Sequence, residues 1–411
     1  MSLRMLLQNI WISYKTWFRL LGRTFLAGRR SPARRTPKRL AIMTGFLLLL
    51  LVIQTLHWLG FIIDELVFSG YRKIKVRQPL FVVGVPRSGT TFLHRLLFAD
   101  KELFTCFTLW ELIFAPSITE RKIILGLARL DRVIGAPLQK AIAWLERRLF
   151  GSLDDIHVIS LSDAEEDYFV LTPIYACFLL ILPFPFFDEL GHLAFFDDQT
   201  PQAEQDRILA FYKSCLQRHL YVRGTDRVLL SKNVSFSPMI RALNRVFPDC
   251  RIIGTVRDPR RAVPSHLSSM MEGAAVFDNN VEGDDYRDRM IEVQRYAYTH
   301  VIEALPELPR ERRLTVRMEG LQHDLYGVVS TIYDRFDYAM MPDVEYNLRR
   351  RNQIQKTYQS GHHYDMAAYG LTGEEIFSRF ADVFQQFGYE PPNPDISRVD
   401  SGVSAKCRTR S

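Results

Sequence analysis

The hydrophobic pattern divides the chain into a short apolar N-terminal part and a longer part in which strand-like and helix-like segments alternate. Residues 40–63 are almost continuously apolar around the run 46–53. At about 1.5 Å per residue, this stretch is long enough to span a bilayer. It predicts a transmembrane or re-entrant helix, with a buried or interfacial helix as the alternative. Residues 10–21 mix aromatic side chains with cations, as surface-lying membrane helices do.

From residue 78 onward the pattern is typical of a soluble α/β domain. Helical stretches separate short apolar runs that are typical of buried strands, which lie at residues 80–85, 228–230, 251–256 and 314–316. Such alternation predicts a three-layer α/β fold of the P-loop type with a mainly parallel central sheet, over residues 78–390. The polar residues 391–411 are predicted to form a flexible tail.

Charge is concentrated at the N-terminus. Residues 1–39, the N-terminal arm, carry ten basic side chains and no acid, so subtracting ten from the net charge of +7 leaves −3 for the rest. This distribution predicts an amphipathic arm that binds a membrane surface or another polyanion, and no nucleic-acid partner for the main domain. The five cysteines are odd in number and widely spread, which predicts neither a disulfide scaffold nor a zinc site and favours a reducing compartment.

A strand, a glycine-containing loop and a helix start follow one another in the order that builds an anion-binding site. After the strand come Pro86-Arg87-Ser88-Gly89-Thr90-Thr91 and the helical residues 92–97. Backbone N–H groups at a helix N-terminus point at phosphate oxygens, and a glycine lets the backbone approach closely. The loop is therefore predicted to bind a phosphate group, with added donors from its small hydroxyl side chains.

This loop differs from the common nucleotide-binding loop at one position. Residues 84–91 match G-x-x-x-x-G-K-[ST] except that Thr90 stands where the lysine should be. That lysine is a principal cation of P-loop kinases and NTPases, so such an enzyme is a weaker alternative. Arg87 supplies positive charge from inside the loop instead.

The segment from Val85 to Thr91 resembles the 5′-phosphosulfate loop of sulfotransferases, in particular the mostly bacterial branch and the tyrosylprotein branch, which have arginine where cytosolic enzymes have lysine. The resemblance covers about residues 78–390. It implies 3′-phosphoadenosine 5′-phosphosulfate (PAPS) as the sulfuryl donor, bound by Arg87, Ser88, Gly89, Thr90 and Thr91. It also implies that Phe92 packs against the adenine. No metal is predicted, because sulfuryl transfer does not require one.

A second anion site is predicted after a later strand. Residues 251–256 lead into Arg257-Asp258-Pro259, and Ser265 follows eight residues after Arg257. Arginine offers a fixed fork of donors for a phosphate, and a serine hydroxyl can reach the same anion. On its own the motif is as consistent with an Arg–Asp turn. Together with the first loop it resembles the family's 3′-phosphate site, which implies that Arg257 and Ser265 bind the donor.

Sulfuryl transfer needs a cation beside the departing oxygen and a base for the acceptor proton. Arg87 is the predicted stabiliser. Lys232 corresponds to a lysine that the family carries beside a histidine, but Val234 or Phe236 stands at the histidine positions. The predicted base is therefore Glu111, within a segment that resembles the place where several branches of the family carry a catalytic glutamate or a substrate-facing W-E.

An acidic cluster at residues 163–167 is a second candidate for the base. Glu165 or Glu166 would face the acceptor, and a helix-capping role for Ser162 with Glu165 is the alternative. A further possibility is a catalytically inactive membrane scaffold that keeps the fold, because the family histidine is missing.

The acceptor is predicted to be a membrane-soluble alcohol, such as a hydroxylated isoprenoid, a sterol-like molecule or a glycolipid. The apolar segment ends only about 20 residues before the loop, so the site must lie near the bilayer. Residues 168–187 are mostly apolar but contain prolines that argue against a second spanning helix. They are predicted to form an acceptor channel or a membrane-dipping lid, with ordinary core as the alternative. We expect the catalytic domain to face the cytoplasm, with a single-pass Golgi protein as the alternative. The oligomeric state stays open.

Overall fold

The computed structural model describes residues 1–26, 33, 35–141, 144, 161, 163–281, 283–355 and 366–391. Part of the predicted arm, Ser162 and all but the first residue of the predicted C-terminal tail therefore lie outside the described residues.

Five parallel strands form a central sheet. They are β1 (Leu80–Gly84), β2 (Phe104–Thr105), β3 (Val228–Lys232), β4 (Arg251–Val256) and β5 (Arg313–Arg317). The strand order is β2-β3-β1-β4-β5, and every neighbouring pair is parallel. The predicted α/β fold with a parallel sheet is thus confirmed. Only β2 was not anticipated, because two residues carry no readable periodicity.

Helices connect the strands. Those whose bounds fall within the described residues are α1 (Leu3–Leu26), α2 (Pro37–Val67), α3 (Thr90–Leu97), α4 (Leu109–Phe114), α5 (Ile118–Val133), α6 (Phe187–Leu190), α7 (Phe196–Gln199), α8 (Gln202–Arg223), α9 (Ile240–Val246), α10 (Pro259–Val276), α11 (Asp284–Glu303), α12 (Met318–His323), α13 (Leu325–Arg335), α14 (Pro342–Gln355), α15 (Gly373–Arg379) and α16 (Ala381–Phe387). Short 3₁₀ helices include Asp167–Ile174, which follows the acidic cluster, and Val234–Met239, which follows β3.

The sheet is buried on both faces, as β1 shows most clearly. All five of its residues are buried. Because successive side chains of a strand point to opposite faces, Phe81 and Val83 join one hydrophobic core while Leu80 and Val82 join the other. The second core includes leucines of α3 and the apolar face of α13, and the first extends to α1, α2, α8 and α11.

Helices α1 and α2 pack against the first core. Within the described residues, α2 is the one helix that is long and apolar enough to cross a membrane, by length and composition only. It begins at a proline, with the Thr36 side chain accepting a hydrogen bond from the Arg39 backbone N–H (3.0 Å). One of its faces is buried in the protein, with Leu47, Trp58 and Phe61 inside the core. Transmembrane or re-entrant insertion of residues 40–63 stays a prediction.

Candidate active site

The carboxyl ends of β3, β1 and β4 lie side by side, because these strands are parallel and adjacent. In open α/β sheets, ligands bind at the carboxyl ends of the strands. The usual place is where the connections from two adjacent strands run to opposite sides of the sheet. In the strand order, β3 and β2 lie to one side of β1, and β4 lies to its other side. The predicted loop, Lys232 and Arg257 therefore all reach the same edge.

The loop after β1 is anchored to its neighbours by hydrogen bonds. The Gly84 backbone N–H donates to Ser237 Oγ (2.7 Å), and the Val85 N–H donates to the Thr255 carbonyl oxygen (2.9 Å). The buried Ser88 hydroxyl donates to the Val85 carbonyl oxygen (2.5 Å) and lies 2.5 Å from Thr255 Oγ1. Ser88 thus shapes the loop, while its predicted contact with the donor stays a prediction.

Two residues of the loop have left-handed backbone conformations. Gly89 has φ +85°, and a Cβ atom there would lie 2.2 Å from Met318 Sδ, so no other residue fits without a shift. Arg87 has φ +68°, which is uncommon for a residue with a side chain and is concentrated at functional sites. Gly89 precedes α3, whose N-terminus starts at Thr90 and Thr91.

The structure joins the two predicted anion sites. Arg87 Nε donates to Ser265 Oγ (2.8 Å), although these residues are 178 positions apart in the sequence. Arg257 Nη1 donates to the Arg87 carbonyl oxygen (3.1 Å). Burial, followed by the positive charge of Arg261, lowers the pKa of Arg257. Guanidinium groups crowded at one edge of the sheet, with Arg257 partly buried among them, are an arrangement that a bound anion stabilises.

The turn after β4 is held without using the Arg257 side chain. Asp258 caps α10 by accepting from the Arg260 backbone N–H (2.9 Å), and its carboxylate also pairs with the Arg260 side chain (2.5 Å). Tyr298 donates to the Arg257 carbonyl oxygen (2.5 Å). The Arg–Asp turn that the sequence left open as an alternative therefore forms with Arg260, and not with Arg257.

Lys232 connects the loop with the acidic cluster. Its ammonium group, at the end of β3, donates to Thr91 Oγ1 (3.1 Å) and to Glu166 Oε1 (2.7 Å). The Lys232 side chain is only 2% exposed. Burial and the neighbouring Glu166 carboxylate raise the pKa of Glu165, against the opposing effect of Lys232. The second candidate for the base therefore lies beside the loop.

A buried network that the sequence did not indicate fixes this position. Asp167 accepts hydrogen bonds from Tyr212 (2.6 Å), from Ser231 (2.9 Å) and from the Asn233 side-chain amide. Burial raises the pKa of Asp167 to about 6, although these hydrogen bonds act in the opposite direction. Because Asp167 is the next residue after Glu166, the network positions the Glu166–Lys232 pair. In the sequence, this network is indicated locally by the polar residues Ser231 and Asn233 on either side of Lys232 at the end of β3.

Glu111 lies in a different environment. Its side chain is 1% exposed and accepts two hydrogen bonds from Arg223 (2.8 and 3.0 Å). It also accepts from the Thr108 backbone N–H (2.9 Å) and lies 3.7 Å from Arg121. Burial alone would raise the pKa of Glu111, but Arg121, His219, Arg223 and the Thr108 N–H together lower it to about 2. The position favours a structural ion pair, and its predicted role as the base stays untested.

Comparison with known proteins identifies the family. A model of the sulfotransferase family matches residues 79–180 and 185–343. Two relatives are the omega-hydroxy-beta-dihydromenaquinone-9 sulfotransferases Stf3 of Mycobacterium bovis and Mycobacterium tuberculosis, each 27% identical over 346 residues, with 79% of this chain and 79% of the relative covered.

Two solved structures share the fold. Sulfotransferase STF9 from Mycobacterium avium superposes with a TM-score of 0.65 at 20% identity, covering 80% of this chain and 82% of that one. Sulfotransferase STF1 from Mycobacterium tuberculosis H37Rv gives 0.62 at 18% identity, covering 90% and 92%. The chain therefore belongs to the sulfotransferase family and is an enzyme of that family.

Proposed function

We propose that the enzyme transfers a sulfuryl group from PAPS to the hydroxyl group of a membrane-soluble alcohol. The observation that supports this proposal most is the contact between Arg87 and Ser265 at 2.8 Å, which joins the loop to the second anion site. A donor with phosphate groups at both its 3′ and 5′ positions needs two anion sites at one edge of the sheet.

The residues present suit such a donor. When bound, PAPS supplies the sulfuryl group at its 5′ end and leaves as the 3′,5′-bisphosphate. The loop backbone and the N-terminus of α3, with Thr90 and Thr91, would hold the 5′ end. Arg257 and Ser265 would hold the 3′-phosphate. Phe92 is partly buried against the second core, where its ring would contact the adenine.

Replacing Arg257 by alanine tests the donor assignment. We expect binding of the 3′,5′-bisphosphate product to weaken at least about tenfold, the range of a charge-assisted hydrogen bond. Binding of adenosine 5′-phosphosulfate, which lacks the 3′-phosphate, should change by less than about twofold. Calorimetry with both nucleotides measures this difference. Arg245→Ala is the matched control, since Arg245 pairs with Asp206 on the protein surface. Equal losses for both nucleotides would refute the assignment.

The chemical roles follow from position. Arg87 and Lys232 are the cations at the loop, so they stabilise the negative charge that develops on the departing oxygen. Glu166 is proposed as the general base, because Lys232 connects it directly to Thr91 of the loop. Unlike Glu111, Glu166 is not enclosed by arginines, and its side chain is 17% exposed. A base must be within hydrogen-bond reach of the acceptor hydroxyl.

A cavity of about 400 Å³ offers the proposed access for the acceptor. It lies between the end of α1, at Arg23, the apolar residues around Phe186, and the start of α11, at Tyr286. Further along α11, Gln294 donates to the Pro86 carbonyl oxygen (3.4 Å). Eight residues of helix correspond to roughly 12 Å, so the cavity is within reach of the loop for a long-chain alcohol.

Two more observations bear on the acceptor. The name of the Stf3 relatives indicates an omega-hydroxylated menaquinone derivative as their acceptor, which is a lipid-like alcohol. Residues 168–187 are mostly buried in the core beside α1, which favours the core interpretation for most of that stretch. Its end, from Pro185 to Phe187, lines the cavity. The proposed entry is therefore the cavity, with this end of the stretch as one wall.

We also propose that the catalytic domain faces the cytoplasm. Four cysteines, Cys106, Cys177, Cys215 and Cys250, are free thiols in the described residues, in keeping with a reducing compartment. In sealed right-side-out bacterial vesicles the domain should resist added protease, and its ready digestion would reverse the orientation.

A further inference from the structure

The two faces of α2 differ sharply. After Lys38, its exposed positions recur every three or four residues and are all uncharged; the large ones are Leu48, Leu49, Val52, Leu56, Leu59, Ile63, Leu66 and Val67. Its charged side chains after Lys38 lie on the opposite face, where Arg39, Asp64 and Glu65 are buried. From Leu48 to Val67, one side of the helix is thus apolar and has no partner within the described residues.

Both ends of α2 are bound to the catalytic domain. Near the start, Arg39 donates to the Asn279 side chain (2.7 Å) and to the Pro183 carbonyl oxygen (3.2 Å). Near the end, Asp64 accepts from the fully buried Arg218 (2.9 Å) and from the Ile118 backbone N–H (2.9 Å).

These attachments decide how the helix can meet a bilayer. A helix that crosses the hydrocarbon, which is about 30 Å thick, must be surrounded by lipid or by protein within the membrane. Crossing by α2 would therefore carry the flank of the domain, with its buried ion pairs, into the hydrocarbon. Lying parallel to the surface exposes only the apolar face.

The neighbouring helices extend this face on both sides. Tyr14 of α1 hydrogen-bonds Thr55 of α2 (2.9 Å), and His57 of α2 contacts Glu120 of α5 (2.7 Å). Both neighbours expose large apolar side chains, which are Leu3, Leu7, Trp11 and Phe18 on α1 and Ile123, Leu127, Leu130 and Val133 on α5. We call the exposed faces of α1, α2 and α5 the docking face.

On these three helices the acidic side chains point into the protein, and the exposed charged side chains are basic. Every acid is turned into the protein: Asp64 and Glu65 bind Arg218, Glu120 binds Ser117, and Asp131 accepts from the Leu138 N–H (2.8 Å). The exposed charged side chains of the three helices are all basic, namely Arg4, Lys15, Arg19, Lys38, Lys122, Arg129 and Arg132. An apolar stripe with a tryptophan and a basic border is complementary to an anionic lipid surface.

We propose that the docking face binds the surface of an anionic lipid bilayer, with α2 lying in the plane of one leaflet and not crossing it. This inference does not rest on the sulfuryl-transfer proposal. Loss of lipid binding and loss of donor binding are separate measurements.

Vesicle flotation of the full chain tests the binding. We expect the protein to float with phosphatidylcholine vesicles that contain phosphatidylglycerol, to bind phosphatidylcholine alone more weakly, and to be released in part by high salt. Leu49→Glu and Leu56→Glu should each reduce the bound fraction at limiting lipid about tenfold, since each removes one inserted leucine. Tyr346→Glu on α14, where the side chain is 67% exposed, is the control and should float normally.

Cysteine labelling distinguishes the in-plane helix from a spanning one. In a Cys407→Ser background the other four thiols are buried, so Lys38→Cys and Ser69→Cys place single accessible thiols just inside the start and just past the end of α2. In sealed vesicles from expressing cells, a membrane-impermeant maleimide should label both variants from the same side. Labelling from opposite sides would overturn the in-plane arrangement. Failure to float on any vesicle, with a dimer in light scattering, would show that a second copy covers the face instead.

Discussion

Replacing Glu166 by glutamine is expected to lower turnover by about 10²-fold or more, the usual effect of removing a general base. Glutamine has nearly the same shape and can still accept the hydrogen bond of Lys232, but it cannot take up the acceptor proton. Binding of the 3′,5′-bisphosphate should change little, since Glu166 contacts the loop only through Lys232. Single-turnover rates at saturating donor, together with nucleotide titrations, measure both quantities.

Glu165→Gln is the matched control for this variant, because it makes the same change one residue away. The Glu165 carboxylate is near Lys232, but no hydrogen bond joins the two among the described contacts. We expect Glu165→Gln to retain turnover within about tenfold. A full rate in Glu166→Gln would remove Glu166 from the mechanism, and a larger loss in Glu165→Gln would transfer the base to that residue.

Replacing Glu111 by glutamine is expected to lower the free energy of unfolding by about 3 kcal/mol, as breaking a buried ion pair does. The variant would leave the fully buried Arg121 without its carboxylate and would weaken the Arg223 contact. Turnover of the folded protein should stay within about threefold. Urea unfolding at neutral pH, with rates taken well below the melting temperature, measures the two effects.

The pH dependence of the Glu111 effect follows from its lowered pKa. A carboxylate whose pKa is lower in the folded than in the unfolded state stabilises the protein above the unfolded-state value. With a folded-state pKa of about 2 and an ordinary value of 4.5, the difference between the wild type and the variant should shrink as the pH falls from about 4.5 toward 2. A 10²-fold loss of turnover at unchanged stability would instead make Glu111 the base that the sequence predicts.

Much of the sheet could be predicted from the sequence, because fully buried parallel strands are continuous apolar runs. The apolar runs at residues 80–85 and 251–256 correspond to β1 and β4, with nearly the predicted bounds. The loop after β1 was equally visible, since its resemblance to a phosphate-binding loop depends on local spacing around Gly89. The likeness of Arg257 and Ser265 to a phosphate site was also local, and the fold places them beside Arg87.

The contacts on which the proposed chemistry rests were not visible in the sequence. Glu166 and Lys232 are 66 positions apart, and only the tertiary fold shows that they pair. Glu111 follows Trp110 in a segment that resembles a family motif. The sequence does not reveal that Arg223 and Arg121 enclose the Glu111 carboxylate. A motif predicts a residue's neighbours along the chain, whereas the chemistry of a carboxylate depends on its neighbours in space.

The same limit applies to the membrane segment. Hydropathy identified a long apolar helix, but it averages over both faces and so cannot separate a lipid-facing stripe from one that packs on protein. Arg39 and Asp64, whose bonds hold α2 against the domain, lie just outside the apolar window 40–63. The proposal that α2 lies on a membrane and does not cross it therefore rests on hydrogen bonds, and not on composition.

Incubating the purified full chain with sulfur-labelled PAPS, lipid alcohols and water-soluble phenols tests the central claim most directly. The account predicts label in a lipid-extractable sulfate ester, faster transfer to long-chain alcohols than to phenols, and loss of transfer in Arg87→Ala. Equal rates on phenols would contradict the membrane-soluble acceptor. Absence of transfer to any alcohol, or transfer of phosphate from labelled ATP in its place, would contradict the proposed reaction itself.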